Sequence, residues 1–188
     1  GGVQLSFMSP YRVGDFIRIG DHEGTVVERN LLHTRLRTLF NQVVTLPNSA
    51  IVSGAVINLS ALAKDRGLRI FATTTLRYDA PWRKVHELML EAASSVPGLR
   101  EEPRPYVLQT SLNDSHVTYQ VNVFMQEPEL RPQALSALHA ALQDAFNTAG
   151  LELLSPAYHA LRDGNALTLP AGHRPEGYEA PGFRVQQG

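Results

Sequence analysis

The chain has 188 residues, of which 43% are hydrophobic and 19% charged, and its net charge is −1. That balance excludes a disordered or fibrous chain and speaks against a basic nucleic-acid-binding face. The absence of cysteine excludes disulfides and thiolate metal sites and fits a reducing compartment.

No apolar run approaches the roughly 18 residues that cross a bilayer. The opening stretch "GGVQLSFMS" is too short for a signal peptide and lacks its charged start. Residues 1–9 therefore read as the end of something longer or as an expression scar. From Pro10 to Ser60 the chain reads as short strands and tight turns. "DFIRI" is a strand, "GDHEG" (20–24) a hairpin tip, and "TVVERN" a second strand. "LLHTRLRTL" alternates, with Leu32, Thr34, Leu36 and Thr38 on one face and His33, Arg35 and Arg37 on the other. "FNQ" turns the chain, "VVTL" is a fourth strand and "AVINL" a fifth. Five short strands in about fifty residues predict a small open barrel of the SH3-like or Sm-like kind.

"TLPNSAIVSGAVINLS" (45–60) is an elbow between the last two strands. Pro47 cannot donate to a ladder. Asn48 and Ser49 are expected to cap a short helical turn. Residues 61–67 read as a linker, and 68–155 as a second domain. There "LRIFATTTLR" is a strand. A helix from Ala80 to Val96 carries Trp82, Val85, Leu88, Met89, Ala92 and Val96 on one stripe. "PYVLQTSLN" and "HVTYQVNVFM" form a hairpin. A second helix points Leu135, Leu138, Leu142, Ala145, Phe146 and Ala149 inward and ends at Gly150, and "LELL" is the last strand. The order βαββαβ predicts an α+β ferredoxin-like domain. "NALTLP" within 156–170 is a further short strand, and 171–188 a disordered tail.

Chemistry is hard to find. The seven histidines show no H-x-H, H-x-x-x-H or H-E-x-x-H spacing. Asp21, His22 and Glu23 cluster on a turn, where a solvated hairpin is the simpler reading. There is no nucleophile elbow, phosphate-binding loop or dinucleotide fingerprint. The residues predict no catalytic group, no cofactor and no metal. Arg35 and Arg37, with Arg12, Arg18 and Arg29 near in sequence, admit an RNA-binding ring. A face neutralised by Asp15, Glu23 and Glu28 is the plainer alternative. An enzyme or ligand sensor on the second domain is a third reading.

Two stretches, "SPYRVGDFIRIGDHEGTVVERNLLHTRLRT" and "VVTLPNSAIVSGAVINLS", resemble the small-conductance mechanosensitive ion channel (MscS) family. The family pattern opens on proline-aromatic-arginine, here Pro10, Tyr11 and Arg12, followed by Gly14-Asp15. Gly24 and Val26 supply G-x-V, and Thr34, Arg37 and Thr38 supply T-x-x-R-T. Pro47, Asn48 and Ser49 begin the closing piece, and Asn58 and Ser60 end it. "TTLRYDAPWRKVHELMLEAA" and "AFNTAGLELLSP" agree with the family's second domain. The resemblance implies a channel that opens under membrane tension and releases ions and small solutes on hypo-osmotic shock. It implies a homo-oligomer of seven copies in the cell inner membrane. The region in hand would lie on the cytoplasmic side, without the transmembrane helices. The motif residues would then serve assembly, not chemistry. The elbow in particular is expected to shape a strand edge that a neighbouring copy covers.

Overall fold

The computed structural model describes residues 9–153 and Glu176. These divide into two compact units. One holds the described residues up to Leu68 together with Met125–Pro132. The other holds Arg69–Phe124 and the described residues from Gln133 on. The expected strand "NALTLP", the tail and the segment before Ser9 lie outside the described residues.

The first unit is one antiparallel sheet of β1 (Phe16–Ile19), β2 (His22–Arg29), β3 (His33–Arg37), β4 (Val43–Pro47) and β5 (Val56–Asn58), with α1 (Asn48–Val52) between the last two. The order is β4-β3-β2-β1-β5, so β4 and β5 are its edges. Every strand nevertheless feeds one core: Ile17 and Ile19, Val26, Leu36, Val44 and Leu46, and Val56, joined by Tyr11 and Ile51. This is the open small barrel that the strand spacing predicts. The β1–β2 turn is tighter than expected. Ile19 pairs directly with His22, so the tip is Gly20-Asp21 and Asp21, His22 and Glu23 do not form one loop. Gly20 has φ +57°, which a side-chain-bearing residue adopts with strain.

The alternation through β3 holds for Thr34 and Leu36, both wholly buried, but fails at its start. Leu32 is exposed, because residues 30–32 form a turn held by Asn30. Its Oδ1 accepts the amides of Leu32 and His33, each at 2.9 Å. A local side-chain hydrogen bond there displaces strand pairing. The expected linker is also ordered. Residues 61–67 wind as consecutive turns, Arg66 N–H bonding Leu62 O at 2.8 Å, with Ala63 buried.

The second unit contains β6 (Leu68–Leu76), α2 (Trp82–Ser95), β7 (Tyr106–Leu112), β8 (Val117–Met125) and α3 (Arg131–Thr148). A 3₁₀ turn, Pro128–Leu130, which belongs to the first unit, precedes α3. The sheet order β6-β8-β7 brings strands together across the α2 crossover, which is the split arrangement of the ferredoxin-like plan. Val117, Tyr119, Val121, Val123 and Met125 form the buried face of β8, as their alternation predicts. Two expected inward residues are exposed. Trp82 is half-exposed because it starts α2, and Ala149 lies beyond the last turn of α3, whose buried stripe begins instead at Ala134. Gly150 ends α3 at φ +71°, its amide bonding Asn147 O while the Leu151 amide bonds Phe146 O. Leu151–Leu153 form no strand, and Leu154, the rest of the expected last strand, is outside the described residues.

His86 on α2 sits edge-on between the rings of Trp82 (5.3 Å) and Tyr119 (5.8 Å). Burial there lowers its pKa below the ordinary 6.5. A histidine that is harder to protonate when folded supports the fold fully above pH 6.5. That support is lost as pH falls from 6.5 through the lowered folded value. Thermal melts between pH 7.5 and 5 should show a midpoint drop in the wild type that His86→Phe reduces. Equal acid sensitivity in both proteins would contradict this.

Candidate functional site

The motif residues from the two ends of the first unit meet in space. The lead-in loop Ser9–Asp15 carries the proline-aromatic-arginine piece, and Asn58, Leu59 and Ser60 close the unit. Asn58 Nδ2 donates to Pro10 O at 3.1 Å and to Asp15 Oδ2 at 2.9 Å. Its Oδ1 accepts the amides of Ser60 and Ala61, both at 3.0 Å. Asp15 Oδ2 also accepts the Arg12 amide at 3.0 Å, and Ser60 Oγ accepts the Phe16 amide at 2.8 Å. One amide side chain therefore locks the start of the unit to its end, 48 residues apart in sequence. Gly14 turns the loop at φ +97° and its amide bonds Val26 O at 2.8 Å.

A second chain of hydrogen bonds runs from the same loop through the core. Tyr11 Oη and Thr34 Oγ1 lie 2.9 Å apart, and the Thr34 hydroxyl donates to Asn48 Oδ1 at 3.0 Å. Asn48 Nδ2 then donates to Asn30 O at 2.7 Å. The direction is set: Thr34 gives its only proton to Asn48, so Tyr11 donates to Thr34. Arg29 stacks over the Tyr11 ring at 5.0 Å and reaches Tyr11 O at 3.4 Å. Tyr11 is thus gripped at ring, hydroxyl and carbonyl.

This arrangement corrects the expected role of the elbow. No side chain caps α1, and Pro47 occupies the capping position. Asn48 is directed across to the β2–β3 turn, where its own amide also bonds Leu32 O at 2.9 Å. Pro47 remains the last residue of β4, paired with His33. Asn48→Ala should therefore cost about 1–2 kcal/mol, by removing the acceptor of the Thr34 hydroxyl and the donor to Asn30 O, and Ser49→Ala less than about 0.5 kcal/mol. Urea melts giving equal costs would restore the capping role. Asn58→Ala, which removes one donor from Asp15 and the acceptor of two amides, should cost about 2 kcal/mol in the same assay. A cost below about 0.5 kcal/mol would show the clamp to be incidental.

The remaining motif residues shape the barrel. The Thr38 amide bonds Gln42 O at 2.8 Å and so closes the β3–β4 turn. Arg37 is exposed on β3 and pairs in register with Thr25 and Val43. Its carbonyl lies against Gly24, whose missing side chain makes room for it. Val26 is core. Two arginines of the basic face form ion pairs within the chain. Arg35 bonds Glu28 at 2.9 Å and Arg18 lies 3.7 Å from Glu23, which also binds Arg131. The Glu23–Arg131 pair and the roles of Asn30 and Tyr11 are not foreseeable from spacing, since each depends on a partner far along the chain or on one rotamer. Among the described residues no cluster of His, Cys, Asp or Glu could hold a metal. None of the described helices is long and apolar enough to cross a membrane.

Two family models match the chain. The mechanosensitive ion channel β-domain covers residues 1–61, and the MscS C-terminal domain covers residues 72–153. The chain belongs to the MscS family of mechanosensitive ion channels. Among curated relatives, the mechanosensitive channel MscK of Escherichia coli is 29% identical over 67% of this chain and 11% of its own length. The small-conductance channel MscMJ of Methanocaldococcus jannaschii is 24% identical over 84% of this chain and 45% of its own. The chain thus spans less than half of either relative. The crystal structure of Helicobacter pylori MscS in its closed state aligns with TM-score 0.68 at 19% identity, over 79% of this chain and 58% of that one. Arabidopsis thaliana MSL1 aligns with TM-score 0.58 at 20% identity, over 78% and 53%. These likenesses fit the two-part fold. The relatives are named as channels, so the RNA-binding ring finds no support in them.

Proposed function

We propose that this chain is the cytoplasmic vestibule region of a channel that opens under membrane tension and passes ions and small solutes during hypo-osmotic shock. The observation that carries the reading is the clamp on the lead-in loop. Asn58 and the Tyr11–Thr34–Asn48 chain bind the segment through which any preceding helix would join the sheet. In the full-length protein, held in the cell inner membrane, a pore-lining helix would run into Ser9. The clamp would carry its displacement into the barrel.

The region works as a homo-oligomer, a ring of seven by likeness to the family. β4 and β5, the edges of the sheet among the described residues, and the exposed Val43 and Ile57 on them support assembly. Apolar side chains on unpaired strand edges invite a neighbouring copy. Pro10, Arg12, Gly14, Asp15, Gly24, Val26, Thr34, Arg37, Thr38, Pro47, Asn48, Ser49, Asn58 and Ser60 would then set the geometry of that ring, and none would act as a catalyst. The coding sequence upstream of Gly1 tests the reading. It should encode at least two apolar spans of about 20 residues, the last running directly into "VQLSF". An upstream sequence without such spans would leave no pore, and the reading would fall.

A further inference from the structure

Beside the clamp, the first unit holds an open groove of about 610 Å³ lined by the lead-in loop, residues 58–64 and the segment Gln126–Glu129. Its charges are mixed. Arg12 and Lys64 line it, and so do Asp15, Glu127 and Glu129. The Asp15 carboxylate is already engaged by Asn58 and the Arg12 amide. The Arg12 guanidinium and the carboxylates of Glu127 and Glu129 have no ion-pair partner among the described residues, although they share one groove.

We propose that this groove binds a small zwitterionic solute, one that carries a carboxylate and an ammonium group. Arg12 offers a planar fork of donors to the carboxylate. Its backbone is fixed on both sides, by Asp15 Oδ2 on its amide and by the Asp15 amide on its carbonyl at 3.1 Å. Glu127 and Glu129 flank the buried Pro128 and present negative charge to the ammonium. Ser60 Oγ accepts the Phe16 amide, which leaves its own proton to donate. A simple anion would face three carboxylates in this groove. A metal ion fits no better, since these acids form no metal-holding cluster. The volume falls within the range of small-molecule clefts, and the openness to solvent calls for weak, exchangeable binding.

The inference goes beyond the channel reading and is tested without it, on the 188-residue chain. Amide NMR is recorded during titration with glycine betaine, and separately with acetate and with tetramethylammonium, which each carry half of its charge. Betaine should shift the amides of Arg12, Gly14, Ala61 and Gln126 saturably, with a Kd of about 1–10 mM. Each half-ligand should bind at least about fivefold more weakly, and Arg12→Gln and Glu127→Gln should each weaken betaine about fivefold. Both side chains are exposed, and if Arg12→Gln unfolds, Glu127→Gln decides. Shifts that stay linear to about 100 mM betaine, or saturable binding that neither variant alters, would overturn the proposal. Either result leaves the test of the pore unaffected.

Discussion

Gly24→Ala destabilises the first unit by about 3 kcal/mol. Gly24 is buried in β2, and a Cβ built on it would lie 2.5 Å from the carbonyl oxygen of Arg37 and 2.8 Å from its carbonyl carbon. Those atoms are backbone, so no rotamer change relieves the overlap. The two strands must separate where Thr25 pairs with Arg37, just before the register shift between Val26 and Glu28. Glycine within a strand marks such close backbone approach. The φ of Gly24 is not positive, so the demand is spatial and not conformational. Gly14 supplies the contrast. A Cβ there meets nothing within 4 Å, but φ is +97°, and Gly14→Ala should cost less, about 1 kcal/mol. Urea unfolding that ranks the two the other way would place the constraint at the lead-in loop.

Phe146→Ala costs about 3–5 kcal/mol, the largest effect expected in the second unit. Phe146 is wholly buried, in the last full turn of α3 and on the same stripe as Leu138 and Leu142. Its removal leaves a cavity that a helix anchored at both ends cannot collapse. Its carbonyl accepts the Leu151 amide at 2.9 Å in the Gly150 turn. The loss of the ring therefore loosens the helix end as well as the core. A calorimetric melt with one lowered transition is expected. A cost below about 1.5 kcal/mol would mean that α3 shifts to fill the space.

Much of this architecture is written in periodicity. Alternation placed β6 and β8, and the 3.6-residue stripes placed α2 and α3, because each buries one face against a partner of its own unit. Periodicity fails where a side chain bonds the backbone locally. Asn30 turns Leu32 out into solvent, although alternation places it on the same face as Thr34 and Leu36. It fails again at α1, where Asn48 has a cap's identity but a distant partner. The pieces of the motif were legible one by one, and their order identified the family. Their meeting was not legible, because Asn58 and Asp15 lie 43 residues apart and only the fold joins them. Tyr11 shows the same limit. Its aromatic character suggests stacking, whereas its hydroxyl is what ties the lead-in loop to Thr34.

Patch-clamp recording of the full-length protein, purified and reconstituted in liposomes under graded suction, reads tension gating itself. A conductance that opens with tension is expected. Asn58→Ala, which removes the Asn58 bonds to Pro10 and Asp15, should shift the opening threshold or the rate of closure. Sealed, silent membranes at lytic tension, with the protein shown to be inserted, would contradict the channel function.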